Sequence, residues 1–238
     1  MDIVYIIMMI FFIAFFIESI FGFGGLVISF ALLGFFIDIK HAVYLGLYIG
    51  IIGSIFILIS DYKSLSLQRF REMFVLAFIG VIIGTFIFDF FSSDILLKIF
   101  SIFLCVFAVK NLFFPNLNPT TLLFKNSLLF SGGLLQGIFG TGGPFSVLAM
   151  KNSFKNKSEL RTTMALFFIF FNIVRGIQLW IQGNFEYQII IDYYWLAFVL
   201  LGAIILGYQV HVKISERFFH LGINYILLIS SILLFFKG

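Results

Sequence analysis

Long apolar runs alternate with short polar intervals along the whole chain. In the first half the runs cover 3–21, 26–37, 42–59, 73–88 and 95–114. After a polar linker at 115–119 they cover 127–139, 144–150, 162–181, 193–210 and 214–236. Each run predicts an α-helix or half-helix, since about 20 residues at about 1.5 Å each cross a hydrocarbon core. One helix over 3–37 would reach about 50 Å, well past the roughly 30 Å of that core. The chain must therefore turn at Gly22-Phe-Gly-Gly25, where glycine permits the positive φ of a sharp reversal. Gly140-Thr-Gly-Gly143 interrupts the second half in the same way.

A shift of 118 positions lays 18–28 over 136–146 with five of eleven residues identical, and places Glu18 over its isostere Gln136. The same shift puts Gly84 over Gly202. Two related transmembrane repeats, 1–118 and 119–238, account for this better than chance coincidence of glycines. Basic residues favour the cytoplasmic side of short loops. By that rule the intervals 61–72 (Lys63, Arg69, Arg71), 151–161 (Lys151, Lys155, Lys157, Arg161) and 211–220 (Lys213, Arg217) lie inside. The acidic intervals 89–94 and 182–192 then lie outside. The two halves come out inverted, with re-entrant hairpins at the glycine breaks; the arms of the second are expected to span about 13 and 8 residues. Four full spans per half would instead give parallel repeats and put 151–161 outside.

Composition fixes the solvent. Of 238 residues, 62% are hydrophobic and 11% charged, with mean hydropathy +1.15, against roughly 45–50% and about 25% in soluble domains. The fold class is all-α, a polytopic membrane protein. The net charge of +4 is spread between apolar runs, so no clustered basic face for nucleic acid exists. No basic leader or cleavage site precedes the first run, which is expected to stay in the mature protein. A single cysteine, Cys105, excludes an internal disulfide or thiolate cluster and reads as a small buried residue. The 37 phenylalanines read as packing and lipid contact. No HExxH, Cys–His pair or intramembrane carboxylate pair supports an enzyme.

The chemistry concentrates at the breaks. Pro144 suits the first turn of a helix, so a short helix is expected to start at Gly143–Pro144 at membrane depth. Its free N–H groups and positive dipole end would face the break, a ready site for an anion. Thr141 and Ser146 add hydroxyls. Gly46-xxx-Gly50, Gly80-xxx-Gly84 and Gly133-xxx-Gly137 read only as close helix packing. Arg175, with Asn172 one turn earlier, and Glu18 are the ionisable or polar groups deep in apolar runs, where charge usually faces a cavity or partner. The candidate substrate-binding set is Gly22, Gly24, Gly25, Gln136, Gly140, Thr141, Gly142, Gly143, Pro144, Asn172 and Arg175. Glu18 is the candidate coupling residue, either paired with Arg175 or carrying a proton. Trp180, Tyr187, Tyr193, Tyr194 and Trp195 form an aromatic belt. His41 and Glu159, equivalent under the shift, read as capping or interface residues.

Gly-Ile-Phe-Gly-Thr-Gly-Gly-Pro (137–144), Glu-Leu-Arg-Thr-Thr-Met-Ala-Leu-Phe-Phe (159–168) and Asn-Ile-Val-Arg (172–175) resemble the sulfite exporter TauE/SafE family. Phe-Gly-Phe-Gly-Gly (21–25) looks like its first-repeat motif, although many members carry a proline shortly after it and 26–37 has none. The resemblance implies a secondary transporter of a small anion, often sulfite or an organosulfonate, in the bacterial inner membrane. It implies no cofactor. The repeats themselves point to alternating access, with H+ or Na+ as the candidate coupling ion and a homodimer as the candidate assembly. A passive anion channel is the competing reading; it requires a continuous polar pore.

Overall fold

The computed structural model of the chain describes residues 3–114, 121–183, 185, 187–211, 228, 231, 232 and 234–236. The 115–119 linker, the boundary between the two expected repeats, and most of 214–236 lie outside the described residues. Among the described residues every regular element is helical. In chain order they are α1 (Ile3–Phe21), α2 (Gly25–Leu33), α3 (Ile39–Ser60), α4 (Leu67–Phe90), α5 (Ser93–Phe113), α6 (Leu122–Phe139), α7 (Gly143–Met150), α8 (Lys157–Ile181), α9 (Gln188–Tyr193) and α10 (Leu196–His211). Five of them, α1, α3, α4, α6 and α8, are long and apolar enough to cross a membrane. The outward face is apolar too: Val75, Ile79, Ile83 and Phe86 form an exposed stripe on α4, while Ala77, Val81 and Phe88 are buried on its other side. A helix apolar all round belongs in lipid. The chain is a multi-pass membrane protein.

The helix starts recur at the same shift: 25 + 118 = 143 opens α7, and 39 + 118 = 157 opens α8. The N-caps recur with them. Asp38 accepts from Lys40 and His41 amides, and Asn156, its shifted equivalent, accepts from the Glu159 amide at 2.8 Å. Such caps satisfy orphan N–H groups of the first turn. The packing follows the same symmetry. α1 packs against α10 as α6 packs against α4, α2 meets α3 as α7 meets α8, and α3 packs against α8. The α4–α6 seam is glycine to glycine, as expected of Gly80, Gly84, Gly133 and Gly137. A Cβ on Gly137 would stand 2.9 Å from Gly84 Cα, and one on Gly133 2.6 Å from Ala77 Cα.

Three expectations change. The arm before the second break is 18 residues, not about 13, because Thr121 caps α6 by accepting from the Phe124 amide and carries the helix through Lys125 and Asn126. The run 193–210 is broken between α9 and α10 at Tyr194–Trp195, where the Trp195 indole donates to Asp192 O at 3.0 Å. Arg161, counted as a loop charge, lies inside α8 and is completely buried; Lys157, Arg69 and Arg71 are also helical.

Candidate functional site

The two breaks open alike and differ two residues on, where Gly24 is left-handed at φ 101° and its equivalent Gly142 is not. α1 and α6 end on glycines in the left-handed region, Gly22 at φ 83° and Gly140 at φ 73°. Their amides close the last turns onto Glu18 O and Gln136 O respectively. A side chain at either glycine would be strained. Three residues on, α2 and α7 begin, with Ile28 N donating to Gly24 O and Ser146 N to Gly142 O. Pro144 sits in the first turn of α7 as expected. α2 has Leu26 there and starts at the equivalent residue all the same.

The side chain in the last turn before each break reaches across it. Glu18 Oε2 accepts from the Gly25 amide at 2.8 Å. Gln136 Oε1 accepts from the Gly142 amide at 3.0 Å, and Gln136 Nε2 donates to Asn172 Oδ1 at 2.8 Å. The first helix N-terminus is thus occupied by the protein's own carboxylate, which the helix dipole favours. The second is held by a neutral amide.

Both breaks and α8 border one small pocket. Glu18, Gly24, Gly140, Thr141, Gly143, Pro144 and Asn172 line it, with Ser54 of α3 and Phe168 of α8. Its volume is about 10 Å³, close to the space of a single water. Seven of the expected site residues therefore meet at one point. Gly22, Gly25, Gln136, Gly142 and Arg175 stand behind that lining. Gly22 packs on the Arg161 backbone, and Gly142 packs on Gln136.

Arg175 is fully buried, so it does not reach water from an interfacial position. Its Nη2 donates to Ile138 O at 2.8 Å, near the C-terminal end of α6, and its guanidinium lies 5.1 Å from the Phe88 ring centroid. Its Nη1 points toward Gly140, whose Cβ position would be 3.4 Å away, and Nη1 and Nε have no hydrogen-bond partner. Asn172 Nδ2, Thr141 Oγ1, Ser146 Oγ and Ser54 Oγ are likewise buried and unpartnered. A buried donor without a partner is costly, so these groups define where a polar ligand gains most. The expected Glu18–Arg175 pairing is not formed: Glu18 turns to Gly25 and Arg175 to Ile138. Each is drawn to the helix end of its own break.

On the other side of Asn172 a second cavity of about 300 Å³ opens between α3, α8 and the α9 region, lined by Tyr44, Tyr48, Gly176, Trp180 and Phe185 among others. Asn172 borders both spaces. The aromatic belt is exposed at Trp180, Tyr187 and Tyr194. Glu159 Oε2 accepts from the Lys155 amide at 2.6 Å, and the His41 ring stands edge-on to Tyr193, so both act at helix starts as expected. Cys105 is half-buried and free. Among the described residues no cluster of His, Cys, Asp or Glu could hold a metal ion.

Sequence reasoning missed Leu26, Val27, Gly50, Ser54 and Phe168 in the lining and the burial of Arg161; Gly50, read only as a packing glycine, borders the pocket. Ser54 is the shifted equivalent of Asn172, a signal the duplication offered.

A helical, multi-pass membrane protein whose paired helix breaks converge on one small pocket bordered by Glu18, Thr141 and Asn172 has the architecture of a membrane transporter. The chain belongs to the sulfite exporter TauE/SafE family, whose model matches residues 7–234. No curated protein and no solved structure matches it.

Proposed function

We propose that the chain is a secondary transporter that carries sulfite or a related sulfur oxyanion across the bacterial inner membrane by alternating access. The repeats 1–118 and 119–238 are inverted relative to each other and rock about the central pocket. One observation carries this reading: both glycine breaks meet at a pocket bordered by Asn172, beside an Arg175 with two unused buried donors. The anion binds at the second break, where the α7 N-terminus, Thr141, Asn172 and Arg175 supply donors and Gln136 brings no negative charge. Glu18 carries the coupling proton or faces the coupling sodium ion. A passive channel would need a continuous polar pore, whereas the unpartnered polar groups here gather around the two breaks.

Uptake of labelled sulfite into proteoliposomes under an imposed ion gradient tests the reading. Arg175→Gln removes a charge-assisted hydrogen bond worth about 1.5–3 kcal/mol, so flux at low substrate falls roughly ten- to hundredfold. Wild-type flux in that variant refutes the assignment. Thermal shifts with sulfite, thiosulfate, taurine, isethionate and sulfoacetate, measured against chloride and sulfate, then rank the substrates.

A further inference from the structure

α8 carries a second fully buried arginine, and its surroundings copy those of Arg175. Arg175 stands at Gly140, the left-handed glycine that ends α6. Arg161 stands at Gly22, the left-handed glycine that ends α1, and its Cα would lie 2.6 Å from a Cβ there. Arg175 lies 5.1 Å from the ring of Phe88 on α4; Arg161 lies 5.1 Å from the ring of Tyr208 on α10, the helix that α4 overlies under the shift. Each spends Nη2 near its helix end: Arg175 on Ile138 O, Arg161 on Ser19 Oγ at 3.2 Å. The carbonyl equivalent to Ile138 O, that of Ile20, is met instead by His211 Nδ1. Each leaves Nε and Nη1 buried without a hydrogen-bond partner.

Packing alone does not call for an arginine there. The α1 helix end is already served by His211, and Ser19 Oγ donates to Ile204 O whether or not Arg161 is present. Asp61 and Glu18 act on Arg161 from beyond ion-pair distance. Its positive charge is therefore buried with two idle donors, as Arg175's is, and a mobile anion is the partner that fits both. Lys157 adds a second cation at this end, its ammonium donating to His211 O at 2.6 Å.

The two arginines also share a helix face. Arg161, Ala165, Phe168, Asn172 and Arg175 follow the spacing of one helical stripe. Fourteen residues separate the two arginines, about 21 Å along the axis. The central pocket lies between them, bordered by Phe168 and Asn172.

We propose that Arg161 is a second anion-binding residue, forming a station for the same oxyanion at the Lys157 end of α8. Arg175 serves the station at the other end, and the central pocket lies between the two. The inference rests on the anion-transport reading above.

Equilibrium binding of radiolabelled sulfite to the full chain in lipid nanodiscs tests it. Wild type is expected to bind two sulfites per chain, Arg161→Gln one, and Arg161→Lys two with weaker affinity at one of them. One sulfite per wild-type chain, or two in Arg161→Gln, overturns the second station and leaves transport at Arg175 standing. No sulfite bound by wild type overturns the transport reading and this station with it. If Arg161→Gln fails to fold, Arg161→Lys carries the test: unchanged affinity at both sites overturns the station.

Discussion

Gln136 splints the second break, and its removal gives the most direct measure of how that break is held. Gln136→Leu keeps the volume and removes both polar ends. It orphans the Gly142 amide, now bonded at 3.0 Å, and Asn172 Oδ1, now bonded at 2.8 Å. Gln136 is completely buried, so water does not replace either bond. Each orphan costs roughly 1–3 kcal/mol, about 2–6 kcal/mol for the pair. The greater apolar transfer of leucine returns about 1–2 kcal/mol. The central net loss is about 2–3 kcal/mol, on the order of 4–12 °C in melting temperature for a chain of this length. Intrinsic fluorescence of Trp180 and Trp195 in detergent follows the melt. Gln136→Glu separates fold from charge. Its carboxylate still accepts from Gly142, and a flipped Asn172 amide offers Nδ2, which has no other partner. That variant is expected to melt closer to wild type than the leucine variant yet lose its thermal response to sulfite, because the second break then carries a negative charge as the first does. A leucine variant as stable and as sulfite-responsive as wild type would refute the splint.

Further outcomes follow from the fold. Gly84→Ala presses a Cβ to 3.0 Å from Gly137 Cα on the facing backbone; overpacking of about 1–3 kcal/mol outweighs a helix-propensity gain of about 1 kcal/mol, and the melting temperature falls. Gly202→Ala, its shifted equivalent, meets nothing within 4 Å and leaves the melt unchanged or raised. Asp38→Ala removes the α3 cap at a cost of about 1 kcal/mol, read as faster hydrogen exchange at Lys40 and His41, while Asp38→Asn stays near wild type.

Most helices were legible because lipid demands continuous apolar runs, and α1 coincides with its run from Ile3 to Phe21. Where boundaries moved, local chemistry overrode hydropathy: Thr121 started α6 ahead of Lys125, and Asp192 and Trp195 closed a turn inside an apolar stretch. The meeting of both breaks at one pocket was foreshadowed by the duplication, and the lining carries Glu18, Thr141, Pro144 and Asn172 from the expected set. Arg161 was not legible. Counted among neighbouring lysines it read as a loop cation, and its burial is set by Ser19 and Tyr208, 142 and 47 positions away in sequence (161 − 19 and 208 − 161). The contacts of Glu18 with Gly25 and of Gln136 with Gly142 fall outside helical spacing, because each crosses a reversal that periodicity does not describe.

Both breaks open on a left-handed glycine, Gly22 and Gly140, but they differ in charge, and on the proposed transport that difference assigns their roles. Two free helix N-termini facing one pocket would both attract the substrate anion. In this chain Glu18 already holds the Gly25 amide, so the α2 end is closed to a second anion while the carboxylate stays there. Gln136 leaves the equivalent α7 end neutral, with Arg175 Nη1 and Asn172 Nδ2 unpartnered close by. A cation reaching Glu18, whether a proton or a sodium ion, would offset its charge beside a pocket it shares with Asn172 and Thr141. An anion at the second break and a cation at the first would then each favour the other's binding, by Coulomb attraction across a space about one water wide. On the proposed function, coupling of this kind needs one break with a carboxylate and one without. A symmetric pair of glutamates would repel the substrate, and a symmetric pair of glutamines would leave the driving ion without a charged partner.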